Sequence, residues 1–328
     1  MQLTKGAIGN LINRYRAVLK KCHLLNVFGS LAVAGMLVMG GAAAAGAADT
    51  VKITYSGSTI TAYNGQTTTL SDGGSGKNIF LGGTINNIQS LEPHKHFDSF
   101  TSPTSITVTD GSYTWDIYGG SLALADGTTA GFENTTATSG STTLTINDGT
   151  FNGAELVGGG SASAHGTGIA TATVNGDTKV TINSYTHDGN GLDYIMAGNK
   201  VLTSGQGKAQ GTITGNTNLT IDPSAEDQGV TTTAVVLGGS GVRVSSGNSA
   251  SASDTINGNT NVTIEDGTLA GVVGGSIAEV LSGTGSATAT VKGDSTVTIN
   301  GGTIHQITFG SDTESAAVPV DPSVEGGS

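Results

Sequence analysis

The residues of this chain whose types and spacing suit chemistry are few, and most are carboxylates beside glycine. Asp188-Gly189-Asn190-Gly191-Leu192-Asp193 gathers three oxygen-bearing side chains around two glycines. A hard cation such as calcium needs that combination, oxygen ligands on a sharply bent backbone, so Asp188, Asn190 and Asp193 are the candidate calcium ligands. The same residues also make a plain turn, and no further acidic ligand follows Asp193 nearby. His94-Lys95-His96, flanked by Glu92 and Asp98, puts two imidazoles on one side of an extended strand, which suits a transition metal as well as a solvated loop. Tyr113, Trp115 and Ile117 share one strand face. They read either as a platform for a sugar ring or as large side chains plugging the start of a core.

Five more carboxylates, Asp110, Asp148, Asp177, Asp266 and Asp294, each adjoin a glycine. Glycoside chemistry needs two carboxylates facing one bond, whereas a single Asp beside Gly bonds its own backbone in a turn. Arg243 is the sole arginine after residue 48, which argues against a groove for acidic sugars. No P-loop, dinucleotide fingerprint, zinc pair or nucleophile elbow occurs. No catalytic and no cofactor-binding residue is therefore assigned, and calcium is the one ligand left open.

The elements that must position these residues repeat. VNGDTKVTI (174–182), ITGNTNLTI (213–221), INGNTNVTI (256–264) and VKGDSTVTI (291–299) are copies of one unit, beginning 39, 43 and 35 residues apart. A period of about 40 residues indicates a solenoid or a propeller. Alternation within each unit predicts a strand with Val180 and Ile182, Leu219 and Ile221, Val262 and Ile264, and Val297 and Ile299 pointing inward as a core ladder, and Thr between them pointing out. Gly-Asn or Gly-Asp in each unit is a turn signal, and a second short apolar segment closed by glycines follows. A propeller needs about four strands per blade and an aromatic signature, against one tryptophan here. The expected fold is all-β, a right-handed parallel β-helix over 105–311 with repeats of about 40 residues. Residues 49–104 are expected to be its N-terminal cap and 312–328 a flexible tail or linker. Whether a repeat is two coils, or one coil with an excursion through the Gly/Ser/Ala/Thr stretches 158–172 and 238–254, stays open.

Residues 1–48 read as a helical, extended signal peptide. Lys5, Arg14, Arg16, Lys20 and Lys21 precede an apolar core from Leu24 to Met39, then small residues, with cleavage expected after Ala47 or Ala48. That core is shorter than the roughly 20 residues that span a bilayer. Removing the segment leaves eight basic residues against 25 acidic ones. Such an excess repels phosphate backbones and disfavours nucleic-acid binding. Cys22 lies in the removed segment, so the mature chain has no cysteine, and packing and backbone pairing must hold it together.

The long basic signal segment ending in LAVAGMLVMGG, the G-N-T-x-V-T-I unit and the Gly-Gly closures together resemble the passenger domains of bacterial autotransporters and related β-helical adhesins. The resemblance implies export by the secretion machinery of a Gram-negative bacterium, passage through an outer-membrane barrel, and display as a rod at the cell surface or release outside it. Its partners would be a host, matrix or glycan surface. The chain departs from that family in carrying no C-terminal barrel of its own, so it is a fragment, is released, or uses a separate partner. The expected role is non-catalytic adhesion or surface interaction; the alternatives are a carbohydrate-active β-helix enzyme, a polysaccharide lyase or glycoside hydrolase, and an inert spacer of a longer autotransporter.

Overall fold

A computed structural model describes residues 50–55, 58–63, 67–70, 79–81, 103–114, 116–127, 134–187, 191–222, 231–308, 312–315 and 324–327. The signal segment with Ala47 and Ala48, the pair His94 and His96, Trp115, and the calcium candidates Asp188 and Asn190 lie outside them. Every element among the described residues is a β-strand, and apart from one antiparallel pair at the N-terminal end, 50–55 with 58–63, the ladders are parallel.

One coil shows the plan. It runs through a first face (Thr142–Ile146), a short second face (Thr150–Phe151), a third (Ala154–Val157), a fourth (Ser161–His165) and a fifth (Ile169–Val174), then returns to the first face at Thr178–Ile182, one rung up. The chain is thus a parallel β-solenoid with one coil per repeat, and equivalent positions on successive coils lie typically 39 residues apart. The stretches 158–172 and 238–254 are not excursions, because each contributes the fourth and fifth faces of its coil. First-face rungs pair residue for residue, with Leu144 on Val180, Val180 on Leu219, Leu219 on Val262 and Val262 on Val297. The coil closing between Leu219 and Val262 is the longest, and residues 223–230 of it lie outside the described set. Parallel ladders also reach past 105–311: Thr67–Leu70 joins the first face, and 312–315 and 324–327 join the fourth and fifth.

Two main columns, with a short stack of Val174, Ile213, Ile256 and Val291 at the end of the fifth face, fill the tube. The first three faces enclose large side chains, including Ile106, Leu144, Val180, Ile182, Leu219, Ile221, Val262 and Ile264, all at most 1 % exposed. Tyr113 stacks on Phe151 at 5.2 Å, and Tyr185 meets Phe151 edge-on. Tyr113 and Ile117 are therefore buried in this core and present no platform for a sugar. The fourth and fifth faces enclose alanines and a few valines, such as Ala123, Ala162, Ala164, Ala170, Ala172 and Val201. At the far end of the ladder Val297 is partly buried and Ile299 is 39 % exposed; they keep the register of the ladder without a further first-face rung above them among the described residues.

The bends explain the glycines. A Cβ on Gly158 or Gly238, at the turn from third to fourth face, would run into the carbonyl oxygen of Ala197 or Gly274 one coil on. The first residue of four first-face strands uses that closeness: the hydroxyls of Thr104, Thr142, Thr217 and Thr260 donate across the tube to the carbonyls of Gly119, Gly158, Gly238 and Gly274 at 2.5–2.9 Å. In the coil that begins at Thr178, Ala197 replaces the glycine, and the hydroxyl of Thr178 is buried with no partner.

Turn carboxylates also have structural work. Asp110, Asp148 and Asp266 each accept the backbone N–H of the following glycine at 2.6–2.7 Å. Those glycines sit at φ of 106, 132 and 123°, where a Cβ is unfavourable. Asp177, Asn216 and Asn259 form a ladder, each Oδ1 accepting the N–H of the equivalent residue one coil on, Asn216, Asn259 and Asp294.

Candidate functional site

The candidate site arises where the outer sides of the third and fourth faces meet. Leu156, Ile195, Val236 and Val272 point into the tube. Strand alternation sends their neighbours Val157, Met196, Leu237 and Val273 the other way, yet these are also buried. Burial on both sides of a strand means that a second surface covers the outside. That surface is the outer side of the fourth face, which contributes Ser161, Lys200, Arg243 and Glu279, so the two faces meet in a groove that runs along the solenoid.

Five charges lie in the groove. Lys200 Nζ is 2.7 Å from Asp116 Oδ2 and 2.9 Å from Glu155 Oε2, and the ring of Tyr118 lies below it with its centroid at 5.9 Å. The Tyr118 hydroxyl donates to Asp116 Oδ2 at 2.8 Å, and the Glu155 backbone N–H donates to Asp116 Oδ1 at 3.0 Å. Further along, Arg243 Nε donates to Glu279 Oε2 at 3.1 Å. Each of the five residues comes from a different coil, so the charges tie successive coils together.

Burial sets the protonation of the cluster. Removal from water would lower the affinity of the Lys200 amine for its proton, but Asp116 and Glu155 beside it more than offset that and hold the ammonium well above its ordinary range. Burial pushes the Glu155 carboxyl up, and Lys200 opposes the rise. Burial and then Asp116 push the Tyr118 phenol well up. At neutral pH the cluster is therefore a charged lysine shared by two carboxyls, with a phenol as donor.

Gly241 occupies the groove position where neighbouring coils carry Lys200 and Ile277, and the notch left there has a cavity volume of about 30 Å³. Lys200, Arg243, Glu155, Glu279, Met196 and Leu237 line it. Both cations there are already paired.

No family model, curated protein or solved structure matches this chain.

The sequence-predicted sites fare differently from this groove. Asp193 is half-buried on the third-face strand Leu192–Met196, and the rest of the calcium candidate cannot be placed with it because Asp188 and Asn190 are outside the described residues. Among the described residues no three His, Cys, Asp or Glu side chains come together as a metal cage. Asp116, Glu155, Lys200 and the Arg243–Glu279 pair carry no local motif. Their partners are 36 to 84 residues apart in sequence, and only the coil length, once known, aligns them.

Proposed function

We propose that this chain is an exported, non-catalytic binding rod that acts outside the cytoplasm, its long outer faces making the contacts. The observation that carries the reading is the uniformity of those faces. Thr107, Thr145, Thr181, Thr220, Thr263 and Thr298 stack in register on the first face. Thr138, Thr173, Thr212, Thr255 and Thr290 do so on the fifth. A repeated polar surface offers many equivalent weak contacts and no singular one, which is how multivalent attachment gains strength. The acidic excess and the basic, apolar N-terminal segment support export and a partner other than nucleic acid.

The test is to express the full chain in a Gram-negative host, follow its N-terminal processing and its accessibility to added protease on intact cells, and assay purified chain on immobilised matrix proteins and glycans. Export with saturable binding that Thr181→Lys, Thr220→Lys and Thr263→Lys together abolish is the expected outcome. Retention in the cytoplasm, or binding indifferent to those changes, contradicts the reading.

One observation favours a second reading, a carbohydrate-active enzyme. Asp116 and Glu155 lie on the same nitrogen at 2.7 and 2.9 Å, so two carboxyls share one locality, and glycoside hydrolysis needs such a pair. Against it stands the lysine that both carboxyls share. Turnover of an acidic polysaccharide that disappears in Asp116→Asn and Glu155→Gln would establish this reading in place of the first.

A further inference from the structure

The alanine column contains one carboxyl. On the fifth face the inward position held by Ala137, Ala172 and Ala289 in other coils is Asp254, with Gly211 directly beneath it. Asp254 is 1 % exposed. Its Oδ1 accepts the Asn199 side-chain N–H at 2.8 Å, while its Oδ2 is buried without a hydrogen-bond partner. A Cβ on residue 211 would lie within van der Waals overlap of Oδ1 and 2.8 Å from Val201. The glycine is therefore the space into which the carboxyl fits, and Gly211 and Asp254, neighbours in register, form a matched pair. The groups facing Asp254 are neutral: Asn199 and Ser240 from the fourth-face bend, Val201 from the fourth face, Gly211 below and Ala289 above. An ionised carboxylate in apolar surroundings with an orphaned oxygen is costly, and such groups keep their proton instead.

We propose that Asp254 is carried as a neutral acid inside the solenoid and makes the middle coils a pH-sensitive element, firm in acidic medium and loosened as the pH rises. Burial is the leading cause that raises its proton affinity, opposed by the Asn199 hydrogen bond and the nearby Ser240 hydroxyl. The unfolded chain releases this proton near the ordinary aspartate value of about 3.9 and the folded chain releases it later. Stability from this site is thus fully present below the unfolded value and is lost through the window up to the folded one. Across that window the folding equilibrium constant falls about tenfold per pH unit. Above the folded value the fall stops.

The experiment is chemical unfolding of the full-length native chain and of Asp254→Asn at pH 4 to 8, with the difference between them isolating this site from the other carboxyls. The native chain is expected to lose stability relative to Asp254→Asn as the pH rises. A difference that is constant with pH overturns the proposal. Infrared spectroscopy of the folded native chain gives an independent reading: a protonated-carboxyl band that persists above the ordinary aspartate value of about 3.9 and is missing from Asp254→Asn is expected, and its absence from the native chain everywhere above that value overturns the proposal as well. The double variant Gly211→Ala/Asp254→Ala, which restores the alanine column, should be at least as stable as the native chain at pH 7, whereas Gly211→Ala alone should be markedly less stable. Equal stability of Gly211→Ala and the native chain would remove the matched-pair argument.

Discussion

The two columns inside the tube hold the same backbone together by opposite means. Around the first three faces, Ile, Val, Leu and aromatic side chains fill a wide space, and removal of their apolar surface from water is the main stabilising term. Between the fourth and fifth faces the side chains are mostly a single methyl, so there is little area to bury. There the backbones approach closely, and the gain comes from contact and from ladder hydrogen bonds. The bend from the third to the fourth face joins the two regimes, with its glycines, its cross-tube threonine bonds and the charged groove outside. A wide column is damaged chiefly by losing atoms and a narrow one by gaining them.

Six substitutions sharpen or break this contrast, and urea unfolding monitored by circular dichroism measures each. Lys200→Ala, at the junction, should cost the most, about 3–5 kcal/mol, because it strands the buried Glu155 carboxyl and the part-buried Asp116 carboxyl; a loss below about 1 kcal/mol would mean the groove is wet and the cluster merely a surface pair. In the wide column Ile182→Ala should cost about 2–5 kcal/mol, and Ile299→Ala, the same ladder position at its exposed end, much less. Equal losses would deny that burial distinguishes them. In the narrow column Ala164→Leu should cost about 1–3 kcal/mol through overpacking, and a neutral result would show that the two faces stand too far apart to touch. The smallest effect separates two threonines at the same position of the repeat. Thr217→Val, which leaves the Gly238 carbonyl without its donor, should cost about 1 kcal/mol, while Thr178→Val, which removes a hydroxyl that has no partner, should be neutral or stabilising.

The wide column is legible in the sequence because β-branched residues alternate with threonine at a fixed period, and the inward positions Val180, Ile182, Leu219, Ile221, Val262 and Ile264 follow from that alternation alone. The narrow column is not. Ser161-Ala162-Ser163-Ala164 alternates as faithfully as Val180-Thr181-Ile182, but alanine and serine differ too little in hydropathy for the period to stand out, so these strands read as low-complexity connection. For the same reason the sequence leaves one coil or two per repeat undecided. The cross-tube bonds are hidden because they join a threonine to a backbone carbonyl 14 to 21 residues away, and the groove charges because their partners lie on other coils, 36 to 84 residues away. Asp254 is invisible among the other carboxylates, since nothing local distinguishes an aspartate that faces alanines from one in a turn. The Asp-Gly positions, by contrast, carry their turn role openly in two letters.

The central claim is that each sequence repeat makes one coil. Spin labels at Thr107→Cys and Thr298→Cys, in a full chain with Cys22→Ser, sit on the same column five rungs apart. Pulsed electron–electron distance measurement should give a backbone separation of about 24 Å, from a strand spacing of about 4.8 Å. A separation of about 48 Å, the same spacing counted over twice as many rungs, would mean two coils per repeat and would contradict the architecture.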